Sequence, residues 1–588
     1  MASPTGDGPD AGGGRAWRQV ALVLSIGACA GLAAAALLLA RDEGDERRPA
    51  PATATAPLRL TEVAAEAGLD FHHGAFRTAA PPEAQAMLGG GLCWIDVDGD
   101  GWLDLYAVDS TTDLERATGN LPGPPRNRLY LNDGGRFVDV SRGSGADLAM
   151  RGNGCVAADL DRDGDSDLLV TAVGPSALLW NDGDGTFTEG AADADAGLDG
   201  SGWYAGAAVG DVNGDGWPDV FLAGYVDMNA PIPSATQGFP NTYQGVRDLL
   251  FLSDGATGDG HPTFREVGIE AGIEAAGFEY GLGAVLSDFD RDGDLDLYVA
   301  NDTNPNRLYE NVPWPGGAEA DPYGLGFRLG ERAASAGVAD PNAGMGIAAQ
   351  DYDGNGRPDI VVTNARDQGH GVFRGQTLDL AAPAFFDARA DFDDAFDASF
   401  TGFGASWADF DLDADLDLLL ANGAIPVLRP RRDAEPMQLF QNGAAQGDAT
   451  SFVDASREVG LLRATPRIGR GLALADYDND GDVDAAVGSI GGPIALLRND
   501  VRGGSWLEVS LDPPVPGAEV TVVLPDGREL RRVSLAGSSY LSSEDPRVHF
   551  GLGGAETVRE VVVRLPGRDE QRLGAIEANR LVTVEVER

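Results

Sequence analysis

The chain has 588 residues, with 82 Gly and 34 Pro, and a formal net charge of −50 from 43 basic against 93 acidic side chains. So long a chain exceeds one ordinary core, and so acidic a chain lacks the basic footprint that phosphate backbones require, which excludes nucleic acid as a partner. Frequent Gly and Pro without a long Leu/Glu/Lys stretch point to β structure rich in turns.

Residues 1–18 end in Arg15 and Arg18, ahead of a charge-free run from Val20 to Ala40. A helix over residues 19–40 would span about 30 Å, the hydrocarbon thickness of a bilayer. The basic flank before it and the sequence RDEGDERR after it predict a body outside the cytoplasm. Three fates stay open, in this order: an uncleaved transmembrane anchor, a cleaved signal, and lipidation at Cys29 in a lipobox-like Ile26 to Cys29. Residues 41–57, with their PATATAP, read as an exposed linker.

Residues 58–503 carry a repeat. The pattern D-x-[DN]-x-[DN]-[GA]-x-x-D begins at Asp96, Asp159, Asp211, Asp288, Asp351, Asp409 and Asp476, at intervals of 63, 52, 77, 63, 58 and 67 residues. An apolar segment leads into each copy and a β-rich one leads out. A third short strand, often ending in Asn as in NRLYLN and IALLRN, and a fourth led by an aromatic such as Phe137, Phe264 or Phe452 follow. Four short strands per repeat predict propeller blades. The seventh repeat lacks its fourth strand, and LRLTEVAAEAG from Leu58 resembles the missing piece, so the N-terminal strand is expected to complete the last blade and remove an open edge. The expected fold class is all-β: a seven-bladed β-propeller over 58–503 and a small β domain over 504–588, with one N-terminal transmembrane or signal helix.

Carboxylates at positions 1, 3, 5 and 9 of a short loop converge oxygens on one point. Such hard ligands suit Ca²⁺, and the absence of Cys and His from the pattern argues against zinc or copper. The expected ligands are Asp96, Asp98, Asp100 and Asp104; Asp159, Asp161, Asp163 and Asp167; Asp211, Asn213, Asp215 and Asp219; and Asp288, Asp290, Asp292 and Asp296. They continue with Asp351, Asp353, Asn355 and Asp359; Asp409, Asp411, Asp413 and Asp417; and Asp476, Asp478, Asp480 and Asp484. Ala414 stands in the sixth loop where the others have Gly, and this predicts the weakest site there. Up to seven Ca²⁺ would offset 14 of the 50 excess negative charges. Cys93 and Cys155 read first as small buried hydrophobes, and second as a disulfide pair.

From about Gly504 new alternating segments appear, including AEVTVVLPDGRELRRVSL and VREVVVRLPG, and their scattered Arg residues suit docking against an acidic neighbour. The Asp loops with NRLYLNDGGRF resemble FG-GAP/VCBS repeats of the integrin-α-like propeller. The run SSYLSSEDPRVHFGLGGAETVREVVVRLPG, with EANRLVTVEV, resembles the ASPIC/UnbV domain of bacterial secreted proteins and of the cartilage acidic protein family. The resemblance implies calcium in the Asp loops, a bacterial cell-envelope setting, either membrane-anchored or secreted, and a scaffold for extracellular binding; it implies no catalytic residues.

The leading functional expectation is a calcium-stabilised extracytoplasmic scaffold that recognises a protein or glycan through its loops. The insert from Tyr225 to Gly245, uncharged apart from Asp227, reads equally as contact patch or rim cover, and a second stretch, acidic and aromatic, runs from Asp387 to Phe403. The alternative is a cell-envelope enzyme, or enzyme accessory, with a site in the channel. No G-x-S-x-G, H-E-x-x-H or P-loop supports it, and of His72, His73, His261, His370 and His549 the FHHG pair is the first candidate for an acid/base or a second metal.

Overall fold

The computed structural model describes residues 58–76, 84–110, 126–190, 202–256, 260–273, 279–376, 382–396, 399–443 and 451–586. The readings on residues 1–57, including the apolar run 19–40 and Cys29, lie outside them.

Seven four-stranded antiparallel sheets form, one per Asp loop. The first pairs Leu92–Ile95, Asp104–Ala107, Arg128–Asn132 and Phe137–Asp139, and the next five follow the same order in the chain. The seventh takes Gly469–Ala475, Asp484–Ser489 and Ala495–Asn499, and its fourth strand is Leu60–Glu62, with Leu60 opposite Asn499. First strands such as Gly281–Ser287 are buried at every residue, whereas an outermost strand such as Pro262–Glu266 exposes alternate positions. Apolar runs of small residues can pack on both faces, while an outermost strand keeps one face wet.

Neighbouring sheets meet through side chains. One apolar cluster joins the first and second sheets around Cys93, Tyr106 and Leu179, and another joins the seventh and first around Trp94, Ala486 and Leu496. First strands of consecutive sheets lie side by side.

Two expectations are corrected here. Backbone pairing stops at four strands in every one of these sheets, because the sheets are joined by side-chain faces, and no sheet closes on itself into a propeller. The structure is a mostly β, multi-sheet one. The expected transmembrane helix and membrane assignment also find no support: among the described residues no helix is long and apolar enough to cross a membrane.

Cys93 and Cys155 are disulfide-bonded, with Cα atoms 6.1 Å apart, which corrects their first reading as plain buried hydrophobes. They lie in the first strands of the first two sheets, three and four residues before their Asp loops, and side-by-side packing of those strands brings the thiols together.

Beyond residue 504, Ser505–Asp512 lies between antiparallel Val548–Gly553 and parallel Arg580–Glu585. A second sheet orders Glu529–Val533, Glu519–Val523, Glu560–Arg564 and Gln571–Leu573 around a shared apolar core. The segment between these sheets, residues 536–545, reaches back among the first strands of the repeat sheets. Trp94 N–H donates to Ser543 O at 3.1 Å, Cys155 N–H to Leu541 O at 3.2 Å, and Val209 N–H to Ala536 O at 2.9 Å. Ile347 N–H donates to Ser539 O at 2.8 Å, and Asp545 N–H to Leu474 O at 3.0 Å. The fully buried Tyr540 donates its hydroxyl to Leu88 O at 2.7 Å. The centre where a channel site was expected is filled by this segment.

Candidate metal centres

Each Asp loop joins the first strand of its sheet to the second, and its ninth residue opens that second strand. This residue fixes the turn. Asp104 Oδ2 accepts the Val97 N–H at 2.9 Å, and Oδ1 accepts the Asn132 N–H at 2.8 Å from the third strand. The same pair of bonds recurs at Asp167, Asp219, Asp296, Asp417 and Asp484 with the third-strand residues Asn181, Ser253, Asn311, Asn442 and Asn499. In the fifth loop Asp359 bonds Tyr352 and Gly375 in the same way.

The position-1 carboxylate accepts the N–H of position 6, for example Gly101 on Asp96 at 3.0 Å and Ala414 on Asp409 at 2.7 Å. The position-5 side chain accepts the N–H of position 7, as Asp100 does from Trp102 at 2.8 Å. These bonds need left-handed backbone at position 6, where Gly356 has φ 89° and Ala414 φ 82°. Position 4 is left-handed too, and it holds Arg162, Arg291, Leu412 and Asn479 as well as Gly. Side chains tolerate such φ values only where surrounding bonds enforce them.

In at least five loops one oxygen from each of positions 1, 3 and 9 lies within 4.8 Å of the others: Asp96, Asp98 and Asp104; Asp159, Asp161 and Asp167; Asp288, Asp290 and Asp296; Asp351, Asp353 and Asp359; Asp409, Asp411 and Asp417. In the third loop Asn213 takes position 3, its amide 2.9 Å from Asp215 Oδ2, while Asp211 accepts the Asp215 and Gly216 N–H groups. In the seventh, Asp476 accepts the Asp480 and Gly481 N–H groups, and Asp478 and Asp480 are neighbours.

Burial, followed by neighbouring carboxylates, disfavours charge in these loops. Burial chiefly pushes Asp104 and Asp167 up to about 8, and Asp288, Asp351, Asp413 and Asp476 to about 7. Asp219, Asp296, Asp359, Asp417 and Asp484 are likewise raised well above the ordinary carboxylate value, chiefly by burial. Oδ1 of Asp411 and Oδ1 of Asp478 are buried and meet no hydrogen-bond partner. Clustered acidic oxygens at raised pKa, some facing no donor, fit a divalent cation.

The loops differ in access to solvent. Asp98 and Asp100 of the first are exposed, whereas Asp409, Asp411 and Asp417 of the sixth are buried under the terminal domain. Gly551 leaves no room there, since a Cβ on it would lie 1.9 Å from Asp409 Oδ2. Gly553 N–H donates to Leu412 O at 2.9 Å, and Ala414 belongs to the terminal domain's apolar core. The seventh loop meets Arg547, whose guanidinium donates to Asp476 O and Asn479 Oδ1, both at 2.8 Å, and His549 Nε2 lies 2.9 Å from Gly481 O. At the fourth, Gly567 N–H donates to Gly293 O at 2.9 Å, and Arg291 pairs with Glu519 at 3.0 Å.

The histidines are structural in placement. His73 accepts the Ala75 N–H and His370 the Asn364 N–H, and burial holds His549 down at about 4. His261 was not singled out by sequence, yet its Nδ1 lies 2.6 Å from Asp161 Oδ2 and its ring stacks on Trp180 at 4.5 Å. A single His in a short HPTF segment gives no periodic signal. The insert from Tyr225 is anchored by its aromatics: Tyr225 packs edge-on to Trp203 and donates to Asp302 Oδ2 at 2.7 Å, while most of residues 233–239, Phe239 included, face solvent. In the 387–403 stretch Phe392 and Phe396 are buried and stack on each other, and Phe392 also stacks on Phe452, so those aromatics serve the core.

Residues 96–170, 159–222 and 288–362 match the FG-GAP-like repeat, and residues 511–588 match ASPIC and UnbV. Cartilage acidic protein 1 of Mus musculus is 26% identical over 377 residues, covering 60% of this chain and 50% of the relative. The Xenopus tropicalis protein of that name is 24% identical over 486 residues, covering 79% and 59%. The chain carries FG-GAP-like repeats and an ASPIC/UnbV domain, and is homologous to cartilage acidic proteins. This FG-GAP and ASPIC/UnbV chain spans about half the length of the mouse and human relatives. A solved Agrocybe aegerita lectin, described for specific recognition of non-reducing terminal N-acetylglucosamine, is similar at 14% identity and TM-score 0.35, covering 62% of this chain and 79% of the lectin. In this FG-GAP and ASPIC/UnbV chain, five Asp loops begin inside the matched repeats, at Asp96, Asp159, Asp211, Asp288 and Asp351, and the matched ASPIC/UnbV region includes the segment that fills the centre.

Proposed function

We propose that this chain is a calcium-stapled scaffold outside the cytoplasm that binds a protein or glycan through loops at the rim of its repeat sheets. The observation that carries it is the recurrence, in at least five loops, of three carboxylate oxygens within 4.8 Å. Six to eight oxygen ligands at 2.3–2.6 Å are what Ca²⁺ takes, and the loops offer carboxylates, the Asn213 and Asn355 amides and backbone carbonyls. Asp96, Asp98, Asp100 and Asp104 would hold the first ion, and the corresponding residues of the other six loops the rest. Bound ions would supply the positive charge that lets buried carboxylates ionise together. The repeat region 58–503 would form the stapled body and 504–588 the terminal domain.

The Cys93–Cys155 disulfide supports an oxidising compartment, since such bonds persist in secreted and periplasmic proteins. Homology to cartilage acidic proteins supports a binding role. The exposed tip of the insert, with Phe239 presented beside an anchored aromatic cluster, offers a contact surface of defined shape. The test is a screen of the calcium-loaded protein against arrayed glycans and extracellular proteins, with Phe239→Ala as comparison. A ligand retained by wild type and weakened at least about tenfold by the variant supports the reading. Ligands bound equally by both would move the surface elsewhere, and none in either would remove the binding role.

A further inference from the structure

We propose that the terminal domain seals the sixth Asp loop, making it a locked ion site whose cation leaves only when the domain lifts. This rests on the reading of the Asp loops as calcium sites. Ala at position 6 made this loop the weakest on sequence; its surroundings argue the reverse.

Three observations carry it. Asp411 is 5% exposed, its Oδ2 accepts the Gln441 amide at 2.6 Å, and its buried Oδ1 meets no donor, so an oxygen is held ready where water does not reach. The cover is close: Gly551 lies directly against Asp409, Gly504 lies against Leu412 with no room for a Cβ, and the Gly553 N–H closes on Leu412 O. The methyl of Ala414 is part of the apolar core with Leu507, Val509 and Phe550, which gives a physical reason for Ala in place of Gly despite its left-handed φ of 82°.

The first loop is the internal control. Its Asp98, Gly99, Asp100 and Gly101 are exposed, and a Cβ at Gly99 or Gly101 would meet nothing within 4 Å. An ion there can exchange ligands for water one at a time. In the sixth loop Asp409, Asp411 and Asp417 are buried and Asp413 is only partly exposed, so an ion there exchanges its ligands for water chiefly by separating Gly551 and Gly553 from the loop, a local opening that costs free energy and slows release in proportion.

The test loads the full chain with ⁴⁵Ca²⁺, dilutes it into excess chelator, and counts retained ions against time. The expected result is a fast phase and one ion leaving at least about 100-fold more slowly. Asp411→Asn should abolish the slow phase while the fast ions remain, and Gly551→Ala should move the slow ion into the fast phase. A single fast phase in wild type overturns the proposal, as does a slow ion that Asp411→Asn leaves in place. A chain that takes up no calcium at all would overturn the underlying reading of the loops and this proposal with it; uptake followed by uniform release overturns this proposal alone.

Discussion

Removing the Cys93–Cys155 bond gives the most quantitative check on the repeat body. The cysteines are 62 residues apart in sequence, so the bond closes a long loop in the unfolded chain. On the chain-entropy account, loop closure of that size is worth about 4 kcal/mol at 25 °C. Both side chains are also almost fully buried between the first two sheets, so replacing them with Ala adds a cavity term of about 1 kcal/mol. The Cys93→Ala/Cys155→Ala variant, unfolded in urea in the presence of calcium, should show its midpoint lowered by about 4–5 kcal/mol divided by the measured slope. Thiol titration of the denatured, unreduced wild type should find no thiol beyond that of Cys29. An unchanged midpoint, or three reactive thiols in wild type, would refute the bond and with it the argument for an oxidising compartment.

Three further outcomes follow from the geometry. Gly91→Ala would place a Cβ 2.0 Å from Leu541 O, so it should expel the 536–545 segment from the centre; protease nicking between 536 and 545 should then rise at least about tenfold, and equal cleavage in both proteins would count against the plugged centre. Asp248 accepts the Gly224 N–H at 2.8 Å, and burial lifts its carboxyl to about 7. Its folded value lies above its unfolded one, so its contribution is present at low pH and lost as pH rises through 7. In saturating calcium, wild type should lose about 1 kcal/mol more stability than Asp248→Asn between roughly pH 6 and pH 8, and parallel profiles would refute the assignment. Tyr540→Phe removes the buried bond to Leu88 O and leaves that carbonyl without its donor, at a cost of about 1–2 kcal/mol in urea unfolding; a variant as stable as wild type would show that bond to be dispensable.

Much of the repeat body was legible because its chemistry is local. A nine-residue loop that needs carboxylates at fixed positions, Gly at position 6 and an apolar strand on each side writes nearly all of these into every copy, with Asn213, Asn355 and Ala414 as the departures. The pairing of Leu60 with Asn499 was legible because a missing fourth strand had a visible substitute. What escaped notice depends on distance in the chain. Cys93 and Cys155 look like two isolated small residues until their strands are set side by side. The run SSYLSS gives no sign that it threads among the first strands of other sheets, and Gly91 and Gly537 earn their places only against Leu541 O and Ala207 O. Nor does sequence distinguish sheets bonded edge to edge from sheets packed by their faces, and for that reason the closed propeller was overdrawn. The left-handed position 4 was missed because Arg, Leu and Asn occupy it as well as Gly, held there by the loop's own hydrogen bonds. Ala414 was misjudged for a related reason: its backbone cost was visible, and the apolar core that receives its methyl was not.

The measurement that bears most directly on the whole account is calcium stoichiometry, by calorimetric titration of metal-stripped protein, with thermal unfolding followed in calcium and in chelator. Binding of six or seven ions, with a melting temperature that falls by at least about 10 °C in chelator, is what stapled Asp loops predict. Fewer than two ions, with the same melting temperature in both buffers, would contradict it and leave the buried carboxylates of seven loops without the counter-charge that their burial demands.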